Sequence, residues 1–526
     1  MRLVQMLVLA AAALGAEAAA GARPSSADCA VRWHEQPVDQ FGADPRRFAQ
    51  RYLVNDSAFA GGPLVVYAGN EGPVDFFADH IGRAWQLAAA LQGVVVFLEH
   101  RYFGASIPCP VAGGVAQTEG NRTTFWAAAS PRGPTSACPQ YLDVTQALAD
   151  YAAIVAHLRS AVYPSASGAV AIGGSYGGLL AGWLRGRYPL VFDAAVASSA
   201  PFEALLPSFA PGSAYWAAVT NDTAFADTPP GGRDAAAPSC AWLVSQAFAA
   251  VRAALPDPSR AESLTSELGL CAAPPAGAAA GYFDRVLGPW SQGALNLLAM
   301  GDYPFPSSFF GGTPAHPLPP RPLQAACTAL GSAVGGAPAA SKLLRGLRAA
   351  LGVFFNTSGT VRCFDPAANP YALSPTWEKL VCRDRLAHAM PFYAAAGWPN
   401  DMFWPQPTYN DSMIAAYCET RYNVTPRFGW LNLALPTPSA ATGASRILFV
   451  SFGLDPFRVG GVLRNDTARA LLAFLVPGAA HHEDLFWPTP QDTAAVVAMR
   501  AAEDAILAEW VGRRHDSFFT RPVRDE

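Results

Sequence analysis

One short string constrains this chain more than any other: Gly173-Gly174-Ser175-Tyr176-Gly177. The apolar run Ala169-Val170-Ala171-Ile172 precedes it and Leu179-Leu180-Ala181-Gly182-Trp183-Leu184 follows, so the serine stands between a predicted buried strand and a predicted helix. A G-x-S-x-G in that context folds as a nucleophile elbow. The serine backbone enters a tight turn with no room for side chains at the flanking positions, and Oγ is pushed out above the sheet edge. Ser175 is therefore the candidate nucleophile.

An elbow serine needs a base and an acid, and in the α/β-hydrolase arrangement these follow it in the order Ser, Asp, His, each at the C-terminal end of a late strand. The chain supplies both. Arg446-Ile447-Leu448-Phe449-Val450-Ser451 reads as a buried strand, and Phe452-Gly453-Leu454-Asp455-Pro456 puts a carboxylate in the turn that ends it. The next apolar run, Leu471-Leu472-Ala473-Phe474-Leu475-Val476, leads into Pro477-Gly478-Ala479-Ala480-His481-His482. Asp455 alone reads as a turn-former and His481 alone as a surface histidine. Together, in this order and context, they complete a Ser175-Asp455-His481 triad.

The surrounding pattern fits an α/β fold with a mostly parallel sheet. Leu64-Val65-Val66-Tyr67-Ala68 and Gly93-Val94-Val95-Val96-Phe97-Leu98 are continuous apolar runs of the kind covered on both faces, and residues 193–199 read as the strand after the elbow helix. Helical spacing lies between them at 84–91 and 141–158. From about Phe202 to Trp430 the βα alternation stops: helix-like stretches, Pro/Gly-rich connectors such as 311–322 and most of the cysteines fill this region. The expectation is an α/β-hydrolase core over 29–201 and 446–515, interrupted by a largely helical cap over 202–434. Residues 435–443 read as the linker back, 493–510 as a closing helix, and no internal repeat is visible.

Length agrees, since 526 residues exceed one ordinary core. A formal net charge of -4 without a basic stripe argues against a nucleic-acid partner. No internal run reaches the ~18 apolar residues of a membrane span. At the N-terminus, Met1-Arg2, an apolar stretch over 3–14 and Ala16-Glu17-Ala18 predict a signal peptide, residues 1–18, removed near Ala18; a retained anchor fits less well, because no stop-transfer flank follows. Seven Asn-x-Ser/Thr sequons, at Asn55, Asn121, Asn221, Asn356, Asn410, Asn423 and Asn465, are glycosylation candidates. The nine cysteines, Cys29, Cys109, Cys138, Cys240, Cys271, Cys327, Cys363, Cys382 and Cys418, form no C-x-x-C and no interleaved metal pattern, so no metal and no cofactor is expected. In an oxidising lumen six of them, Cys240 to Cys418, can staple the insertion. Cys109 and Cys138 can close the loop between them, Cys29 can be the odd one out, and connectivity stays open. The partner expected is a peptide substrate, and a homodimer is compatible with the chain.

With these residues in view the chain resembles the serine exopeptidase family of lysosomal Pro-X carboxypeptidase, dipeptidyl peptidase II and thymus-specific serine protease. The likeness runs through Gln36-Pro37-Val38-Asp39-Gln40-Phe41, Gln50-Arg51-Tyr52, Gly69-Asn70-Glu71-Gly72, Glu99-His100-Arg101-Tyr102-Phe103-Gly104-Ala105-Ser106, Gln146-Ala147-Leu148-Ala149-Asp150, the elbow, Asp302-Tyr303-Pro304-Phe305-Pro306, Leu454-Asp455-Pro456 and Gly478 to His482. It implies the same triad, a helical cap, cleavage after proline near a chain end, and a lysosomal, vacuolar or extracellular destination. The chain departs from the family at Phe457, where a Trp is usual, at Phe452-Gly453, where Asn-Gly is usual, and at Glu483-Asp484-Leu485-Phe486, where Leu-Asp-Leu-Arg is usual.

The expected oxyanion donors are the backbone N–H of Tyr176 and one from the Gly69–Gly72 turn, at Asn70. Glu71 either holds a substrate amine or hydrogen-bonds its own loop. Leu179, Phe457 and Trp487, which flank the triad in sequence, are pocket-wall candidates or ordinary core. His482 reads as a packing neighbour and Glu99-His100-Arg101 as buried ionic contacts. Three activities stay open: a Pro-X carboxypeptidase, the favoured reading; a dipeptidyl peptidase; and an esterase or silent α/β-hydrolase.

Overall fold

The computed structural model describes residues 23–111, 136–206, 211–226, 238–275, 279–335, 338–368, 374–386, 393–441 and 443–512. The expected signal peptide, the sequon at Asn121 and the edge of the core at 513–515 lie outside them.

Eight strands form one sheet: β1 (Ala30–Pro37), β2 (Arg47–Asn55), β3 (Leu64–Tyr67), β4 (Val94–Leu98), β5 (Ala169–Gly174), β6 (Ala194–Ser198), β9 (Ile447–Phe452) and β10 (Leu471–Val476), in the order β1-β2-β4-β3-β5-β6-β9-β10. β1 and β2 run antiparallel to each other and β2 antiparallel to β4; every other pairing is parallel. This is the α/β-hydrolase order. All residues of β3, β4, β5, β6 and β9 are buried, which is why these strands read as unbroken apolar runs. β1 gave no such signal because it lies at the sheet edge with most of its residues exposed.

Alternate strand residues enter opposite cores. Leu64, Val66, Val94, Val96 and Ala171 join the elbow helix (Tyr176–Arg187) through Leu180 and Trp183, while Val65, Tyr67, Val95, Phe97, Ile172, Leu448 and Val450 face the other way. The second core runs without a break into the cap, where Trp216, Phe248 and Trp404 belong to it. Each such side chain contributes about 1.5–3 kcal/mol on burial, so cap and sheet share one apolar contact. The helix read at 84–91 is Gly82–Ala90, and that read at 141–158 is Val144–His157, started by Asp143, whose carboxylate accepts from the N–H groups of Thr145 and Gln146.

Between β6 and β9 the described residues are mainly helical, including Pro211–Ala226, Cys240–Ala254, Gly288–Met300, Pro322–Val334 and Ala340–Phe355. One expectation fails here. The stretch 311–322 is not a plain connector: β7 (Ser307–Thr313) and β8 (His316–Leu318) form an antiparallel hairpin there. Gly312 sits at φ +75°, and a Cβ at that position would lie 2.4 Å from His316 O, so the Gly that reads as a breaker makes the tight approach of the two strands.

Four disulfides are present. Cys240–Cys327, Cys271–Cys363 and Cys382–Cys418 lie in the inserted region, Cys109–Cys138 closes its own loop, and Cys29 is unpaired. Asn221, Asn410, Asn423 and Asn465 are exposed, and Asn55 and Asn356 are half-buried. No described helix is long and apolar enough to cross a membrane.

Candidate active site

Ser175 sits between β5 and its helix at φ 57°, ψ -124°, a conformation L residues avoid and one that costs about 1–3 kcal/mol. The surroundings enforce it. The Ser175 N–H donates to Ser198 O at 2.9 Å, pinning the elbow to the end of β6. A Cβ on Gly173 would lie 2.1 Å from Gly177 O, on Gly177 2.9 Å from Ala68 O, and on Gly178 2.7 Å from Ser198 O. At these three glycines backbone occupies the position a Cβ would take, which is the physical reason Gly173 and Gly177 bracket the serine.

Adjacent strands deliver the candidate acid and base. Phe452 and Val476 are partners in the parallel β9–β10 pair, so the loops carrying Asp455 and His481 leave the same sheet edge side by side. They are tied together by Gly453 N–H to Val476 O at 2.8 Å and Leu454 N–H to Ala479 O at 2.9 Å. Asp455 Oδ1 accepts from the Phe457 N–H at 3.0 Å and stands 2.9 Å from His481 Nδ1, with both side chains fully buried. The pair is close in distance without full hydrogen-bond alignment, a state common in catalytic pairs that tighten on substrate binding. His481 Nε2 has no hydrogen-bond partner among the described residues, which leaves it as the atom available for proton transfer. The cap fixes the histidine backbone: His481 N–H donates to Met300 O at 3.2 Å and Tyr303 O–H to His481 O at 3.0 Å.

His482 occupies a different environment. Its ring lies among Phe309 and Phe486, with centroids at 5.2 and 5.3 Å, and a Cβ on Gly174 would approach it to 2.9 Å. Burial, with His481 as second cause, pushes this imidazole well below its ordinary value and keeps it neutral. The histidine turn therefore packs directly on the residue before Ser175.

Tyr176 begins the elbow helix, and its hydroxyl lies 3.0 Å from His100 Nε2, whose Nδ1 donates to Arg101 O at 2.7 Å. Burial lowers His100 to about 4, so it too is neutral. Its neighbours form the expected ionic contacts: Glu99 pairs with Arg51 at 2.6 Å and Arg101 with Asp150 at 2.7 Å, both at the buried edge of the sheet. Asn70 is buried beside Gly177 and accepts from Tyr67 O–H at 3.1 Å. The turn expected to complete the oxyanion site thus lies against the elbow. Glu71 keeps part of its surface, but its Oε2 is shut in with no donor among the described residues. Burial raises its carboxyl to about 7.

Of the pocket-wall candidates, Phe457 reaches the site, 5.2 Å from the His481 ring and 5.0 Å from Tyr215. Leu179 does not, since the elbow helix turns it fully into the core behind the sheet. Trp487 packs over Gly82, where a Cβ would meet its ring at 2.3 Å, and under Arg23 at 5.9 Å. For both, these contacts fit the ordinary-core alternative. Missed in turn were Phe310, 5.8 Å from His481, and the tilted ring pair Tyr215 and Tyr393, 4.9 Å apart, which come from the inserted region and carry no motif. Among the described residues no cluster of His, Cys, Asp or Glu is arranged to hold a metal ion.

The profile of the serine carboxypeptidase S28 family matches residues 36–113, 124–277 and 438–503, segments that contain Ser175, Asp455 and His481. The lysosomal Pro-X carboxypeptidases of Pongo abelii and Homo sapiens are each 30% identical to this chain over 497 residues, covering 93% of it and 89% of their own length. The thymus-specific serine protease of Mus musculus is 28% identical over 501 residues, 91% of this chain and 87% of that one. The chain belongs to the S28 family and is a serine peptidase of the α/β-hydrolase fold.

Proposed function

We propose that the protein is a proline-directed serine exopeptidase of the carboxypeptidase type, with Ser175, Asp455 and His481 as its triad. The observation that carries this reading is the fully buried Asp455–His481 pair, at 2.9 Å, delivered to the sheet edge that bears the Ser175 elbow. Ser175 Oγ attacks the carbonyl while His481 Nε2 takes its proton and later returns it to the leaving amine. Asp455 fixes the imidazole tautomer and stabilises the imidazolium. The N–H groups of Tyr176 and Asn70 receive the developing oxyanion, each worth about 3 kcal/mol in the transition state. Water then releases the acyl-enzyme.

Phe457, Phe310 and Tyr215 give an aromatic lining next to His481 that suits a proline ring. Four disulfides and the relatives' names support a secretory route ending in an acidic compartment. Glu71 favours a second reading, because a shut-in carboxyl beside the oxyanion turn can bind a chain terminus: a carboxylate when protonated, an ammonium when ionised. The test uses peptides blocked at the N-terminus, blocked at the C-terminus, or free, with proline second or penultimate, and products identified by mass. Release of one C-terminal residue from N-blocked peptides with penultimate proline supports the carboxypeptidase. Release of N-terminal dipeptides from C-blocked peptides alone replaces it with the dipeptidyl peptidase.

A further inference from the structure

The loop that carries His481 continues into the buried turn Glu483–Leu485, and the charges beneath that turn do not match one to one. Two arginines serve this region. Arg500, in the closing helix Ala494–Val511, pairs with Asp492 and gives its remaining N–H groups to the backbone oxygens of Asp484 (2.8 Å), Glu483 (2.9 Å) and Phe486 (3.2 Å). Arg83, from the helix Gly82–Ala90, holds Glu503 Oε2 at 2.8 Å and Asp504 at 2.9 Å, and donates to Arg500 O at 2.8 Å. Both cations are fully engaged, and Asp484 has no ion-pair partner among the described residues.

Asp484 and Glu503 have no exposed surface and face each other within hydrogen-bonding reach. Asp484 Oδ1 accepts from Ser198 Oγ at 2.6 Å. Its Oδ2 and the Oε1 of Glu503 are the atoms left with no donor among the described residues. Two ionised carboxylates in such a place leave two orphan acceptors, each paying desolvation without a hydrogen bond in return, and a like-charge repulsion. A single proton on Asp484 Oδ2 turns the two orphans into one donor and one acceptor. The other groups around the pair do not supply that donor: Glu483 Oε2 accepts from the Ala480 N–H at 2.9 Å, Tyr303 donates to His481 O, and His482 Nδ1 makes no hydrogen bond among the described residues.

We propose that Asp484 is a positioning residue, protonated and hydrogen-bonded to Glu503, whose proton locks the histidine turn to the elbow. The connection is continuous: Ser175 N–H to Ser198 O, Ser198 O–H to Asp484, Asp484 O–H to Glu503, and Glu503 to Arg83. It joins elbow, histidine turn, closing helix and the helix after β3 through one removable proton. As pH rises the proton leaves to solvent, the pair repels, and the turn that aims His481 loosens. Burial and the Glu503 charge both raise the Asp484 carboxyl well above its ordinary value, which holds the proton through the acidic range. The inference rests on His481 as the catalytic base.

Asp484→Asn tests it on the full chain, since the amide keeps an acceptor for Ser198 and supplies a permanent donor to Glu503. Expected results are loss of a buried carboxyl C=O stretch from the infrared spectrum near pH 6, a Tm decline between pH 5 and 8 smaller than wild type by about 2–4 °C, and an alkaline limb of kcat/KM moved to higher pH. Glu503→Gln is the mirror variant: its amide donates to an ionised Asp484 and still accepts from Arg83, and the same infrared and thermal changes are expected. An unchanged carboxyl stretch, or Tm curves parallel to wild type in whichever variants fold, overturns the proposal. The infrared and thermal readouts need no turnover, so they separate this failure from a failure of the peptidase reading.

Discussion

Asp455 Oδ1 stands 2.9 Å from His481 Nδ1, and neither side chain has any exposed surface. The carboxylate's other oxygen has no donor among the described residues, so its charge is directed at the imidazole rather than shared with a cation. In a Ser-His-Asp triad such an arrangement favours the imidazolium formed when the serine gives up its proton. It also makes the pair costly to break, because a buried charge without its partner pays desolvation in full.

Ser175→Ala is expected to reduce peptide hydrolysis by several orders of magnitude, to the residual level supplied by binding and the oxyanion donors. Stability should be unchanged, since the backbone N–H of Ser175, not the hydroxyl, makes the bond to Ser198. Fluorophosphonate labelling followed by peptide mass mapping checks both halves. A label that persists on the alanine variant, with activity intact, removes Ser175 from its role.

The two histidines should separate by what they cost. His481→Ala is expected to abolish both turnover and fluorophosphonate labelling of Ser175, and to lower stability as well, because it leaves the buried Asp455 carboxylate without its partner. His482→Ala removes a buried ring packed against Gly174, Phe309 and Phe486, and should cost about 2 kcal/mol or more in stability while retaining measurable labelling at Ser175. Ser175 labelling beside kcat/KM, measured below each variant's unfolding midpoint, decides it; labelling lost in His482→Ala and kept in His481→Ala moves the base by one residue.

The elbow glycines make a graded pair. Gly173→Ala sets a Cβ 2.1 Å from Gly177 O, backbone against backbone, and is expected to prevent a stable fold. Gly174→Ala meets the His482 ring at 2.9 Å and Leu485 Cδ1 at 3.0 Å, side chains that can give way. That protein should fold but lose activity well beyond its loss of stability, because the displaced turn carries His481. Equal losses in both variants would show that Gly174 serves the turn alone.

What the sequence disclosed follows from how locally each feature is encoded. The buried parallel strands and the elbow were legible because an apolar run and a glycine turn state their own environment. Asp455 and His481 were legible because strand ends in fixed order point to one sheet edge. The exposed β1 and the β7–β8 hairpin were not, since neither carries a continuous apolar run and the hairpin's Gly and Pro read as a connector. For Leu179 and Trp487 the choice between pocket wall and core was not legible, because sequence adjacency to the triad says nothing about which side of a helix or loop a residue takes. Phe310, Tyr215 and Tyr393 come to the site only through packing of the inserted region, a long-range fact that no local pattern records.

Glu71 gives the prediction that separates the two exopeptidase readings. Its carboxyl is raised from 4.5 to about 7 in the folded protein by burial, against hydrogen bonds from its own backbone N–H and, more weakly, from the Asn70 side chain. The folded state then holds more protons than the unfolded one between those values, so the stability linked to Glu71 is complete below pH 4.5 and is lost as pH rises through about 7. Glu71→Gln should flatten that part of the stability profile. For binding, a protonated Glu71 donates to a substrate carboxylate at pH 5 and repels it once ionised. KM for peptides with a free C-terminus should therefore climb above about pH 7 in the wild type. In Glu71→Gln, whose amide always donates, KM should be close to wild type at pH 5 and lower than wild type at pH 8. If Glu71 instead holds an ammonium, the substitution raises KM for free N-termini at every pH, and most at pH 8. Steady-state kinetics on N-blocked and C-blocked peptides at the two pH values decide between a carboxyl that greets a C-terminus and a carboxylate that holds an amine.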